Sequence, residues 1–569
     1  MKKNILLRSL AAMLAVTSIA GCMVGCGEEP APAPVDPAAS STDTEVKKEI
    51  KEFDMFIAMP GTEINDNNVV QEKLAELYGA KIKETWLTGQ TAEEAIGVMV
   101  AGGEYTDFIE ASDGYQMMVD AGALIAIDEY WDAYPNIKNY LSEAEWNMCR
   151  KEDGHIYAIP QFGIINDHDI STIHNDQAFW IQTRVLKWAG YPEINTLDDY
   201  FKVIEEYAAA NPKHHDGTDV IPYTILCEDW RYFCLENAPF YLDGYPNDGC
   251  VIVTADREII DYNTTETAKK YFGKLNEVYN KGIVDPEFFS QSYDEYISKI
   301  STGRVLAFND QYWNWGYTAE SAIKTLGVSD PVYNDCTYVP LGLTITPDIK
   351  DRYHSASALD CSGGMSITTS CEDVEGALQF VNDMLNEDAL ALRFWGTEGQ
   401  DYLVDENGLF YRTQEMRDKS VDQEYQVANL CSYSYLPQYE GMHLDGINAA
   451  KPGQQPAEFF EGLLPEVKEC LEAYDAQTYV EMLDPSGENS AWYPLWSWSN
   501  DLTPDKGPAG EAWDMMGEVK HEYLPKVVMA KDFEAAWEEY MGVYAEKVDI
   551  DAFLTAAKEE VERRQALAE

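Results

Sequence analysis

The sequence predicts an α/β fold built on a parallel sheet with helices on both faces. Three features carry this. Between Phe53 and Ile109 the chain reads strand, helix, strand, helix, strand, an alternation that a parallel sheet with crossover helices accommodates. The strand-like runs are short, apolar and bounded by Gly and Pro, as at Pro60-Gly61 and Gly102-Gly103. Hydrophobic residues make up 45% of the 569 positions, ample for large cores, and a chain of this length suggests about three or four domains.

The amino terminus supplies an address. Lys2, Lys3 and Arg8 are basic, and Ser9 to Ala20 is a run of small and apolar residues too short to span a membrane comfortably. That pattern is a secretory signal. It ends in Ile19-Ala20-Gly21-Cys22, which resembles the lipobox of bacterial lipoproteins; Cys22 would then carry a lipid that anchors the chain without a spanning helix. Met23-Val24-Gly25-Cys26 is the alternative, with Met a poorer residue three places before the cut. Residues 1–21 therefore read as signal peptide. Residues 22–52 read as a lipidated tether, with Pro30, Pro32, Pro34 and Pro37 among Ala, Ser, Thr and charged residues that cannot bury a core. No long apolar run follows, so the body is expected to be soluble and held at the extracytoplasmic face of the cell membrane.

Charge excludes one class of partner. With 100 Asp and Glu against 41 Lys and Arg, the net charge is −59, and phosphate backbones demand the opposite sign, so no nucleic-acid partner is expected. The same abundance makes any Asp or Glu pair uninformative about catalysis. Of 11 cysteines, two lie in the signal region; the rest are scattered singly, and none has zinc-ligand spacing. Buried free thiols and disulfides are both open, with Cys227 and Cys234 the pair near in sequence. No metal and no cofactor is expected.

The body is taken in order. Phe53 to Met59 reads as a strand. Val70, Leu74, Leu77 and Tyr78 share a helical face that Gly79 closes. Ala80 to Leu87 reads as the second strand. A second helix over Ala92 to Val100 turns Ala92, Ala95, Ile96, Met99 and Val100 inward. Phe108-Ile109 is the third strand, and Glu110-Ala111-Ser112-Asp113-Gly114 is the turn that leaves it. Ligands of such sheets sit at the carboxyl ends of strands, so this turn has two readings: a ligand-facing loop, or a helix N-cap by Ser112 or Asp113. Asp153-Gly154 is a turn before a strand at Ile156 to Pro160. Arg184 to Gly190 ends an amphipathic helix, Thr196 caps the next, and Val305 to Phe308 is a buried strand opening into Asn309, Asp310, Trp313 and Trp315.

In this order the chain carries the lipobox, GGEYTDF with AGALIAIDEY, DGHIYAIP, RVLKWAGYPEINTLDDY, KGIVDPEFF, STGRVLAFNDQYWN and GALQFVNDMLNEDALALRFWGTEGQDY, and it closes on FEAAWEEYMGVYAEKVDIDAFLTAAKEEVERR. Each block is weak alone; the ordered set resembles the family 1 extracellular solute-binding lipoproteins, receptors of carbohydrate ABC importers. Thr106 stands where that family usually shows Pro. The resemblance implies a two-lobed, periplasmic-binding-protein-like (type II) fold with crossing segments and an inter-lobe cleft. Lobe one would take residues 53–163 and the return at 349–425; lobe two would take 164–348 and, with the terminal helices, most of 426–569. It also implies a small-molecule carbohydrate as ligand, the transmembrane subunits of an ABC permease as partner, and no enzymatic activity. A lipid-anchored glycan-degrading enzyme and a surface carbohydrate sensor or adhesin are the alternatives.

A sugar offers hydroxyls at its rim and C–H patches on its faces, so its site needs polar groups beside flat aromatic rings. Four stretches combine them. The candidates are Ser112 and Asp113; Asp229, Trp230 and nearby Tyr241; Asn309, Asp310 and Trp313; and Trp492 with Trp498. Trp395 is expected to pack lobe one, with Glu398 able to face the cleft. Arg184 and Arg304 are read as structural partners of nearby carboxylates. The Asp/Asn-rich turns at Asn65–Asn68 and Asp501–Asp505 fit ordinary turn chemistry better than calcium.

Overall fold

The computed structural model describes residues 50–353, 358–483 and 490–568. The signal and residues 22–49 of the tether, and with them Cys22 and Cys26, lie outside the described residues; Lys51 and Glu52, expected to end the tether, already belong to the first strand. No described helix is long and apolar enough to cross a membrane.

The first lobe is built on three parallel strands. β1 (Lys51–Ile57) pairs with β2 (Ala80–Trp86) on one side and β3 (Phe108–Glu110) on the other. α1 (Val69–Tyr78) and α2 (Ala92–Gly102) make the crossovers. Local chemistry sets their ends. Asn68 accepts from the amides of Val70 and Gln71 at 3.1 Å, and Thr91 with Glu94 forms a reciprocal capping box. Gly79 and Gly103 close the helices at φ +77° and +67°, a conformation that costs glycine little. Side chains alternate along β1: Phe53, Met55 and Ile57 enter one core with Val70 and Leu74, while Ala58 joins Ile96, Ile109 and Met118 in the other. Helices therefore cover both faces, as expected. One residue departs from the α1 reading: Leu77 is 61% exposed, because the inward face of so short a helix is already filled by Val70 and Leu74.

β3 stands intact behind Thr106, whose hydroxyl donates to the Phe108 carbonyl at 2.6 Å. Asp107 is structural: its carboxylate accepts from the Asp54 amide at 3.1 Å, and Asp54 accepts from the Asp107 amide at 2.7 Å. After β3 the chain passes through a single 3₁₀ turn (Ser112–Gly114) into α3 (Tyr115–Asp120), and neither Ser112 nor Asp113 caps it. α4 (Glu143–Met148) follows. The expected strand at Ile156 to Pro160 shrinks to one bridge, Ile159 to Met365.

The second lobe has a mixed sheet. β4 (Gln177–Gln182) lies between β5 (Ala307–Gln311) and β6 (Tyr338–Leu341), antiparallel to both. Parallel bridges from Ile221 to Val305 and from Thr224 to Phe308 extend it. α5 (Thr183–Ala189) and α6 (Leu197–Ala210) follow β4, the latter with a Thr196–Asp199 capping box. Arg184 serves lobe two without a carboxylate: it donates to Gln182 Oε1 and the Gly303 carbonyl. Arg304 donates to the Asp219 carbonyl, and its charge, after the hydrogen bonds from Thr218, helps hold the Asp216 carboxyl low, as expected of a carboxylate partner. β7 (Met365–Ile367) then adds antiparallel to β3, completing the order β7-β3-β1-β2 in the first lobe.

Two large cores separate the lobes. Phe108, Met365 and Ile367 share one with Cys431, Tyr433 and Leu436. Phe179, Trp180 and Phe308 share the other with Leu495, Val519, Tyr540 and Phe553. The last three of these lie in α7 (Pro508–Met529), α8 (Phe533–Lys547) and α9 (Ile550–Ala568). The chain passes from the first core to the second between Ile164 and Ala178, returns between Tyr353 and Met365, and passes over again between Leu436 and Phe459. Trp395 is fully buried and donates to the Ala449 carbonyl at 3.0 Å; Glu398 is exposed. Asn68 also ties its turn to the carbonyls of Val427 and Leu430, which uses the side chain a cation would need.

Candidate ligand-binding cleft

The three parallel strands of lobe one end together. Ile57 is in register with Trp86 on one side and Glu110 on the other, so the three side chains share one face of the sheet at its carboxyl edge. The Trp86 ring meets Tyr435 edge-on at 5.6 Å, and Tyr435 meets Phe162 edge-on at 5.6 Å. A Cβ on Gly61 would lie 2.0 Å from the indole of Trp86; this glycine, in the segment beyond β1, makes room for the ring.

Glu110 sits at the foot of this aromatic wall. It is 6% exposed. Its Oε1 accepts from the Ser112 amide at 3.1 Å, while Oε2 has no protein hydrogen-bond partner. Burial pushes the carboxyl up to about 7; Asp360 and Asp113 add to this and the Ser112 N–H opposes it. Trp86 Nε1 is also buried without a protein partner. The wall thus offers one acceptor and one donor among rings, and buried polar groups are rarely left unbonded.

The opposing wall comes from lobe two. Trp230 and Trp313 stack with centroids 5.6 Å apart at 14°, and Phe233 packs against both, at 5.8 and 5.6 Å. The Arg231 guanidinium lies 4.5 Å over the Trp230 ring and 4.3 Å over Tyr293. Arg231 also donates to Asn314 Oδ1 at 3.1 Å. Trp313 keeps 36% of its surface exposed.

Ser112 and Asp229 meet the mouth from opposite lobes, and both hold left-handed backbone, at φ +47° and +51°. Such conformations are costly outside glycine and cluster at functional sites. Asp113 and Asp229 are exposed. Yet the Asp113 carboxyl is pushed up, first by the protein mass around it and then by Asp229, with Arg231 opposing. Lys151 of lobe one and Asp501 pair across the rim at 3.2 Å, and Lys151 lies 4.6 Å over the Tyr115 ring.

The remaining expected site residues go elsewhere. Tyr241, Asn309 and Asp310 are buried in lobe two at 0, 1 and 0% exposure. Tyr241 donates to Asn309 Oδ1 at 2.7 Å. Asp310 accepts from Tyr296 at 2.7 Å and from Asn314, and burial pushes its carboxyl up to about 6. All three lie within a strand or helix that is buried throughout, so their side-chain oxygens are turned into the core. Trp492 is 8% exposed and its carbonyl accepts from Arg564 at 3.3 Å. Trp498 stacks on Phe553 at 5.9 Å, which stacks in turn on Trp513 at 5.3 Å; both expected tryptophans serve the packing of α9. The structure therefore brings Ser112, Asp113, Asp229, Trp230 and Trp313 together.

Sequence reasoning missed Trp86, Phe162, Tyr435 and Tyr293. Trp86 had a signal, because it ends a predicted parallel strand and such ends face the ligand crevice. Tyr435 had none, since its place depends on where the returning segment packs.

Among the described residues, His214, His215 and Cys336 form one group with metal-ligand atoms within 4.8 Å of one another. Arg184 Nη1 stands 3.1 Å from His214 Nδ1 and 3.5 Å from His215 Nε2. A fixed guanidinium already holds these nitrogens, and its charge repels a second cation.

This two-lobed fold, with crossing segments and a cleft lined from both sides, is that of the solute-binding proteins. The chain aligns over 91% of its length with Streptococcus pneumoniae FusA, an ABC-transporter substrate-binding protein solved as an EF-hand mutant with fructo-nystose. The TM-score is 0.63 at 15% identity, and all of that chain is covered. An HMO-binding solute-binding protein from Bifidobacterium longum infantis gives a TM-score of 0.61 at 14% identity, over 91% of this chain and 99% of that one. In sequence, the fructooligosaccharide ABC transporter substrate-binding protein FusA of S. pneumoniae serotype 4 is 29% identical over 252 residues, 41% of this chain and 44% of that one. Lipoprotein LipO of Bacillus subtilis is 23% identical over 378 residues, 64% of this chain and 69% of that one. The match to FusA thus spans less than half of that relative. No family model matches the chain.

Proposed function

We propose that the chain is an extracytoplasmic receptor that captures an oligosaccharide between its lobes and presents it to an ABC permease. The single observation that carries this is the pair of facing aromatic walls, Trp86–Tyr435–Phe162 and Trp230–Trp313–Phe233, with carboxylates at their edges. Rings cover the C–H faces of sugar units, and the carboxylates accept hydrogen bonds from their hydroxyls. Ser112, Asp113, Asp229, Trp230 and Trp313 are the proposed contacts, joined by Trp86, Glu110 and Arg231.

The similarity in sequence to a protein named as a fructooligosaccharide ABC transporter substrate-binding protein supports this ligand class. Capture needs no bond chemistry. Ligand bound to one wall gains contacts to the other on closure, and that differential affinity favours the closed state. The lipid on Cys22 or Cys26 would hold the receptor near its permease and raise its local concentration there. Lobe one is proposed to comprise the core strands and the return through Leu436, and lobe two the rest with the terminal helices.

The test is calorimetric titration of the signal-free protein with kestose, longer fructans, milk oligosaccharides and simple monosaccharides, with peptides as controls. Micromolar or tighter binding of an oligosaccharide, released intact, is expected. Response to peptides alone overturns the ligand class, and turnover of a labelled oligosaccharide overturns the receptor reading in favour of a hydrolase.

A further inference from the structure

Two cysteines far apart in sequence meet in the wall of lobe one. Cys149, directly after α4, lies with its Sγ 3.3 Å from Sγ of Cys361, a separation of 212 positions along the chain. The other described cysteines are buried singly, and among the described residues this is the one sulfur–sulfur contact recorded. Cys227 and Cys234, the pair near in sequence, do not bond to each other; Cys234 donates to Asp310 Oδ1 at 3.2 Å.

Cys149 is 7% exposed, whereas Cys361 keeps partial access to solvent. A disulfide needs an S–S distance of about 2.05 Å with compatible Cβ directions, and the two sulfurs already stand in contact at 3.3 Å. The segment holding Cys361 belongs to the cleft. The amide of its neighbour Asp360 donates to the Phe162 carbonyl at 3.4 Å, and Ser362 donates through N and Oγ to Asp360 at 2.8 and 2.6 Å. A Cβ on Gly163 would lie 1.8 Å from the Ala358 carbonyl oxygen, so this segment lies directly on Phe162-Gly163.

We infer that Cys149 and Cys361 form a disulfide that fastens the Asp360–Ser362 segment, and with it the Phe162 side of the cleft, to the end of α4. The oxidant is a disulfide, either a small molecule such as oxidised glutathione or an exported thiol oxidase. The accessible Cys361 attacks as thiolate, breaks the oxidant's S–S bond and forms a mixed disulfide, releasing one thiolate. Cys149, deprotonated, then attacks the Cys361 sulfur and releases the second thiolate. Two cysteine protons end on the two released thiols, and the two electrons lost by the cysteines reduce the oxidant. Placement outside the cytoplasm, if the secretory reading holds, puts the pair where such bonds persist. The cross-link closes a very long loop of the unfolded chain, the case in which a disulfide stabilises most.

The experiment is peptide mapping of the full-length protein, exposed to oxidised glutathione, alkylated without reduction and digested. A linked peptide containing Cys149 and Cys361, two mass units below the sum of its thiol parts, is expected. Addition of dithiothreitol should then lower the melting temperature of the wild type, and of Cys227→Ser, but not of Cys361→Ser or Cys361→Ala. Recovery of both cysteines fully alkylated overturns the inference. So does a melting temperature in the wild type that ignores reductant. None of these readouts depends on the ligand, so failure here leaves the receptor proposal standing, and the reverse.

Discussion

The indole planes of Trp230 and Trp313 lie 14° from parallel with centroids 5.6 Å apart, one supplied by the turn after Glu228 and the other by the exit of β5. Trp313 leaves 36% of its surface open, so this stack presents a ring face instead of filling a core. Replacing Trp313 by Ala should weaken oligosaccharide binding by about tenfold or more, since an aromatic partner contributes about 0.5–1.5 kcal/mol beyond its buried area. The melting temperature of the free protein should change little. Isothermal titration alongside differential scanning calorimetry checks both. A large loss of stability with unchanged affinity would return Trp313 to the core.

The distribution of legible and illegible residues follows from how each position is determined. β1, α1, β2, α2 and β3 were readable because alternation, caps and glycine stops are local, as Thr91, Gly79 and Gly103 show. Polar neighbours flank both Trp313 and Trp498, and the same signal leads to an open ring at Trp313 but to a stack on Phe553 at Trp498. Asn309 and Asp310 have equally polar surroundings in sequence, yet they accept from Tyr241 and Tyr296 inside lobe two. Nothing local separates a polar residue paired in a core from one turned to a cleft. Tyr435 was illegible for the complementary reason: it reaches the wall only because the third crossing lies beyond it.

That contrast predicts opposite behaviour for Tyr241. Its hydroxyl donates to Asn309 Oδ1 in a fully buried setting, and Gln177 also donates to that oxygen. Tyr241→Phe should therefore cost stability of about 1 kcal/mol, the usual net worth of a buried hydrogen bond. Ligand affinity should stay within about twofold, because a residue at 0% exposure touches no solute. Denaturant unfolding and titration of the variant measure the two effects separately.

Glu110 predicts a pH dependence whose sign can be fixed. Its carboxyl rises from an ordinary 4.5 to about 7 in the folded chain, chiefly through burial. Below 4.5 it is protonated in both folded and unfolded states. Between 4.5 and 7 the unfolded chain has lost the proton while the folded chain retains it, so stability falls as pH rises through that window. The size is on the order of 3 kcal/mol at most. Glu84 and Asp248, each also pushed up to about 7 by burial, act in the same direction. Melting temperature should therefore climb when the protein is taken from pH 7.5 to 5.5. Glu110→Gln should flatten part of that slope, and a slope identical to the wild type would show that the folded chain does not hold the Glu110 proton.

The Lys151–Asp501 pair joins the two lobes at the rim, at 3.2 Å, with side chains 14% and 30% exposed. Lys151 is held in place by the Tyr115 ring at 4.6 Å, so little extra ordering is needed to make the contact. Asp501→Asn removes this contact between the lobes, and the prediction is that closure around ligand draws on it. Asp501 also raises the neighbouring Asp360 carboxyl, after burial itself, so neutralising it relieves one repulsion on the same rim. The ion pair is partly solvated and worth about 0.2–1 kcal/mol, which sets the expected loss of ligand affinity at no more than about fivefold. The loss should shrink as salt is raised, because screening weakens the wild-type pair. Small-angle scattering of the signal-free protein with saturating ligand should show the variant less compact than the wild type. Equal compaction and equal affinity at low salt would mean that closure does not draw on this contact.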